Sequence, residues 1–137
     1  MARSIDLIGE WGSLMILRQA FGGTTRFDDF QKQLGISRNL LSTRLKKLVD
    51  GGILERQPTS ASGRRQEYVL TPMGEDLVSV VVAMRQWGDR WLFVPDPHPA
   101  DMYDAVDGSK IAKLEVRSEN GRLIDRQDLK LRRHRAR

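Results

Sequence analysis

Apolar residues recur at helical spacing from early in the chain: Leu7, Trp11, Leu14, Leu17 and Phe21, with Gly22-Gly23 ending the run. The spacing predicts one helix that starts near Ile5 and stops at that glycine pair. Phe27, Phe30 and Leu34 predict a second, short helix, with Asp28 and Asp29 in the first turn, where carboxylates suit the positive end of the helix dipole, and Gly35 at its end. Ser37 then has the character of an N-cap, its hydroxyl available to an orphan backbone N–H. Ile36 before it and Leu41 after it have the spacing of a hydrophobic staple. Leu41, Leu45 and Leu48 make a single apolar stripe on a third helix, closed by Gly51-Gly52.

The period then changes. Ile53 to Arg56 and Glu67 to Leu70 read as two short strands around a turn-rich basic tip, residues 57–66. Thr71-Pro72 supplies an N-cap and a proline at the first helical position, with Glu75 and Asp76 behind them, so a fourth helix is expected from there to about Trp91. Pro95, Pro97 and Pro99 mark a linker. Beyond it Ala112, Leu114 and Val116 alternate with Lys113, Glu115 and Arg117, and Asn120-Gly121 suggests a tight hairpin turn with two positive-φ residues. The chain closes on the basic run Arg132 to Arg137. This order predicts a mainly α (α+β) fold: a winged helix-turn-helix domain with a C-terminal dimerisation helix and a small β-hairpin extension. The expected division is residues 1–93 for the DNA-binding and dimerisation domain and 94–137 for linker, appendage and basic tail.

Composition narrows the function. At 137 residues one hydrophobic core suffices without staples. With 39% hydrophobic and 30% charged residues, and no apolar stretch long enough for a bilayer, the chain reads as globular rather than membrane-bound. The first residues lack the apolar core of a secretion signal, so a cytoplasmic location is expected. There is no cysteine, which excludes disulfides, thiolate metal sites and thiol switches. The two histidines, His98 in the linker and His134 in the tail, have no credible partners for a metal site or a catalytic set. With no phosphate-binding glycine loop and no serine elbow either, neither enzyme activity nor a cofactor is expected.

A net charge of +5 points to a polyanionic partner only if the charge is clustered. It is clustered in two places. The face of the third helix opposite its leucines carries Arg38, Asn39, Ser42, Thr43, Lys46 and Lys47, next to the capping Ser37. Arg can bond a guanine edge and Asn an adenine edge bidentately, Ser and Thr reach base or phosphate, and lysines further along suit phosphates. Arg64 and Arg65, at the tip of the hairpin, suit the flanking backbone or a minor groove. Double-stranded DNA is the expected partner. A basic helix face by itself is commonly only a solvated face. What favours DNA is the conjunction of cap, staple, glycine stops, short preceding helix and basic hairpin in the order of a winged helix.

The same residues resemble a family. Leu7-Ile8-Gly9-Glu10-Trp11, Ile16-Leu17-Arg18, Arg26-Phe27-Asp28-Asp29-Phe30, Leu34 to Ser42, Leu54-Glu55-Arg56, Tyr68-Val69-Leu70-Thr71, Gly74 and Gln86-Trp87-Gly88 together are similar to the HxlR-type bacterial regulators, from about Ser4 to Trp91. The resemblance implies a homodimer in which the first and last helices of the domain pair about a two-fold axis, which would engage Leu7 and Trp11. Leu77, Val80, Met84, Trp87 and Trp91 step by three and four residues, as helix-pairing positions do. The alternative is that this stripe packs only on its own domain. Many members sense oxidants through a cysteine ahead of the first helix, and some longer ones carry paired cysteines in the extension; this chain has neither. Two other readings stand beside a DNA-binding regulator. One is a winged helix used for protein contacts. The other is a regulator gated by a small-molecule effector, with Trp11, Trp87, Trp91, Phe93 and Tyr103 as candidate pocket residues.

Overall fold

A computed structural model describes residues 1–59, 63 and 65–133. The element order is α1 (Ala2–Ile8), α2 (Ser13–Phe21), α3 (Phe27–Leu34), α4 (Arg38–Asp50), β1 (Leu54–Pro58), β2 (Gln66–Leu70), α5 (Pro72–Glu75) and α6 (Val78–Trp91). The core is made by the apolar stripes read from the sequence. Ile16 and Leu17 of α2, Phe30 of α3, Leu41, Leu45 and Leu48 of α4, and Ile53 and Leu54 at the entry to the hairpin are sealed from solvent, and Val81 and Val82 of α6 are buried with them. Strands β1 and β2 pair antiparallel, from Leu54 opposite Leu70 to Pro58 opposite Gln66.

Two expected helices are each broken in two. The apolar spacing from Leu7 to Phe21 continues through Gly9–Gly12, but the backbone does not. Gly9 closes α1 by donating its N–H to the Ile5 carbonyl at 2.7 Å, and Gly12 takes φ 92°, a left-handed value that a helix interior cannot contain and that glycine adopts without a side-chain penalty. The helix expected from Thr71 to about Trp91 is likewise α5 followed by α6. Thr71 caps α5 by accepting the Gly74 N–H at 3.1 Å, and its hydroxyl donates to the Gly52 carbonyl at 2.5 Å. Gly74 lies so close to the Ile53 carbonyl that any Cβ would collide with it. The Leu77 N–H turns back to Gly74, three residues earlier, and the regular ladder resumes with Val81 on Leu77.

The chain divides into two compact units, Met1–Met84 and Arg85–Arg137, so α6 contributes to both. In the second unit the Gln86 side-chain amide donates to the Ala112 carbonyl and accepts the Leu114 N–H, both at 2.9 Å, as a strand neighbour would. The extension carries two isolated bridges, Tyr103 with Lys110 and Arg117 with Leu123, in place of a continuous ladder. Its second turn differs in type from the expected one. Gly121 alone has positive φ, at 86°, and among the described residues no residue other than glycine does. The Gly121 N–H bonds Ser118 at 2.9 Å and the Ser118 N–H bonds Arg122 at 2.9 Å, giving a three-residue turn closed by a left-handed glycine. Among the described residues, no helix is long and apolar enough to cross a membrane.

Candidate nucleic-acid interface

The turn between α3 and α4 is built from Gly35, at φ 63°, and Ser37. Ser37 has extended backbone, and its Oγ accepts the Leu40 N–H at 3.1 Å, fixing where α4 starts. With Leu41, Leu45 and Leu48 buried, Arg38, Asn39, Ser42, Thr43 and Lys46 are exposed along the other side of α4. The Thr43 hydroxyl donates to the Asn39 carbonyl at 2.8 Å, one turn back. Lys46 pairs with Asp50 at 2.7 Å, an exposed ion pair of the kind that contributes little to stability and is readily exchanged for another anion. Arg38 crosses to α3, where its guanidinium carbon lies 4.8 Å from the centre of the Phe27 ring and Nη1 is 3.6 Å from Asp28 Oδ1.

Lys47 stands apart from this group. Its ammonium is 2.5 Å from Glu10 Oε1, and the other Glu10 oxygen is 2.6 Å from Arg44 Nη1. Arg44 Nε also donates to the Trp11 carbonyl at 2.7 Å. The hydrogen bond from Lys47, assisted by the charge of Arg44, holds the Glu10 carboxyl below its ordinary range. Two cations of α4 thus grip the turn that separates α1 from α2.

The wing lies beside α3, because the Tyr68 N–H of β2 bonds the Thr25 carbonyl just ahead of that helix at 2.7 Å. Arg56 stacks over Tyr68 at 5.6 Å, and Arg26 lies 3.9 Å from Glu67. Arg65 is exposed, and its carbonyl accepts the Thr59 N–H at 2.9 Å across the hairpin. Arg64 lies outside the described residues, as do His134 to Arg137 of the basic tail.

Of the positions singled out for subunit pairing, Leu7 and Leu77 are half-buried and the others are exposed: Trp11 (67%), Val80 (38%), Met84 (55%), Trp87 (53%) and Trp91 (70%). The core-facing residues of α6 are instead Val81 and Val82. The first unit also has an open apolar hollow of about 220 Å³, lined by Leu7, Ile8, Ile53, Met73 and Leu77 with Ser4 and Asp76 at its polar edge. Phe27, Asp28, Glu10 and Arg44 were not singled out as site residues by their spacing. Phe27 read as core and Asp28 as a dipole partner, and neither pattern announces a contact with Arg38.

Residues 7–95 match the HxlR-like helix-turn-helix family. The chain belongs to this family. Among HxlR-like relatives, the uncharacterized HTH-type transcriptional regulator Rv3095 of Mycobacterium tuberculosis is 43% identical over 99 residues, 72% of this chain. The match spans 63% of that relative's own length. A cyanobacterial relative from Synechocystis, sll1512, also an HTH-type transcriptional regulator, is 34% identical over 89 residues, 64% of this chain and 66% of its own. Among solved structures, that of PA1607, assigned as a transcription factor, superposes with a TM-score of 0.90 at 39% identity, covering 97% of this chain and 93% of its own. The redox regulator HypR in its oxidized form gives a TM-score of 0.60 at 27% identity over 65% of this chain and 93% of its own. The chain thus carries an HxlR-like helix-turn-helix, and the relatives from Mycobacterium tuberculosis and Synechocystis are named as HTH-type transcriptional regulators.

Proposed function

We propose that the protein represses or activates transcription by binding, as a homodimer, a specific two-fold symmetric DNA site, without a thiol switch. The observation that carries this reading is the capped, exposed N-terminal half of α4, with Arg38 and Asn39 in its first turn. A helix-turn-helix inserts that end of its recognition helix into the major groove, so these two side chains are nearest the base edges. Arg38 reads guanine and Asn39 adenine, while Ser42 and Thr43 contact base or phosphate and Lys46 exchanges Asp50 for a phosphate. Lys47 reaches a phosphate only by leaving Glu10, which makes it a secondary contact. Arg65, with Arg64, lies along the backbone flanking the site.

Pairing of subunits is supported by the exposed apolar residues Trp11, Val80, Met84, Trp87 and Trp91, with half-buried Leu7 and Leu77 as further candidates; large apolar side chains in solvent are a mark of an interaction surface. HypR is named a redox regulator, but this chain has no cysteine with which to act in that way. The test is titration of Arg38→Ala and Asn39→Ala against a duplex selected from a random pool and against random DNA, at one salt concentration. Each variant is expected to lose on the order of 1–3 kcal/mol on the selected duplex and little on random DNA. Equal losses on both would reduce the two residues to phosphate contacts.

A further inference from the structure

Arg38 is held by α3 before any DNA is present. Its guanidinium lies over the Phe27 ring at 4.8 Å, with Asp28 at 3.6 Å. The Arg38 and Asp28 side chains are 69% and 89% exposed, so the arrangement is not forced by burial. A free arginine on a surface samples many rotamers, and a complex must freeze them. A guanidinium held over an aromatic face has already lost much of that freedom. Bidentate recognition of guanine needs two N–H groups aimed together at the O6 and N7 edge, so freedom lost beforehand lowers the cost of that contact.

Asp28 acts on a different quantity. On random DNA Arg38 has no matched base, and the neighbouring carboxylate offsets the charge that would otherwise attract any phosphate. On a cognate site the bidentate bond outweighs an exposed ion pair, which is weak in water. We infer that Phe27 and Asp28 are positioning residues for Arg38, the ring restricting where its guanidinium lies and the carboxylate suppressing its attraction to DNA in general, so that together they widen the gap between cognate and random sites. This rests on the base-reading role proposed for Arg38.

Wild type, Phe27→Leu, Arg38→Ala and the double variant, all as full chains, are titrated on the selected duplex and on random DNA at one salt concentration. Phe27→Leu keeps an apolar side chain at a half-buried position and removes the ring. It weakens the selected duplex about two- to five-fold, leaves random DNA unchanged, and has no further effect once Arg38 is Ala. Phe27→Tyr keeps the aromatic face and holds wild-type affinity, which guards against a folding defect in the leucine variant. Asp28→Asn tightens random DNA more than the selected duplex, narrowing their ratio. If Phe27→Leu costs the same in both Arg38 backgrounds, the ring only supports the fold and the inference is overturned while the role of Arg38 stands. If Arg38→Ala itself loses equally on both duplexes, the base-reading role falls and this inference falls with it.

Discussion

Ser13 opens α2 with its hydroxyl shut away from solvent and without a hydrogen-bond partner among the described residues. A buried hydroxyl that bonds to nothing loses its water and gains no compensation. Ser13→Ala is therefore expected to raise stability by about 1 kcal/mol, read as a higher urea midpoint at unchanged slope. A lower midpoint would mean that the hydroxyl is paired in solution. The opposite case is Thr71, whose hydroxyl both donates to Gly52 and accepts from Gly74, tying the hairpin to α5. Thr71, like Ser37, was legible in the sequence as a cap. The contact between Arg38 and the Phe27 ring was not, because it joins two elements whose relative placement is set by tertiary packing and not by any local spacing.

At the scale of elements, the turn at Gly9–Gly12 ties the N-terminal helix pair to α4 through Glu10, Arg44 and Lys47. The Glu10 carboxyl is held below its ordinary range chiefly by the Lys47 hydrogen bond. A group whose folded pKa is depressed contributes stability above its unfolded pKa and loses that contribution as pH falls through the folded value. The stability difference between wild type and Glu10→Gln is thus expected to be present at about pH 7 and smaller at about pH 3. Urea midpoints of the two proteins at both pH values check this, and a difference that stays constant or grows on acidification would contradict it.

The element count shows what periodicity can and cannot carry. The stripes Phe27–Phe30–Leu34 and Leu41–Leu45–Leu48 gave α3 and α4 correctly, since each ends at a glycine. The stretch from Leu7 to Phe21 read as one helix because its apolar spacing survives the break, although Gly9 and Gly12 were present as signals. The break between α5 and α6 falls just after Gly74, whose close approach to the Ile53 carbonyl is a tertiary contact that leaves no trace in the spacing. In the extension, the alternation around Leu114 suggested a strand, but much of that segment's backbone pairing comes from a glutamine side chain on α6.

For the molecule as a whole, sorting apolar from polar positions set apart the exposed polar side of α4 and the apolar run on α6. The sequence left open whether that run packs on its own domain. Val81 and Val82 fill that role, and Val80, Met84, Trp87 and Trp91 remain exposed. If those side chains pair two copies of the chain about a two-fold axis, two α4 helices meet successive major grooves, about 34 Å apart on one face of the duplex. The site must then repeat its half-sequence in inverted order, whatever that sequence is. The measurement that bears most directly on this account is selection of bound duplexes from a random pool by the purified protein. The account predicts enrichment of a single motif with two-fold symmetry and half-sites roughly ten base pairs apart, centre to centre, or a multiple of that. Enrichment of an asymmetric motif would contradict the dimer, and a pool that stays random would contradict sequence-specific recognition by α4.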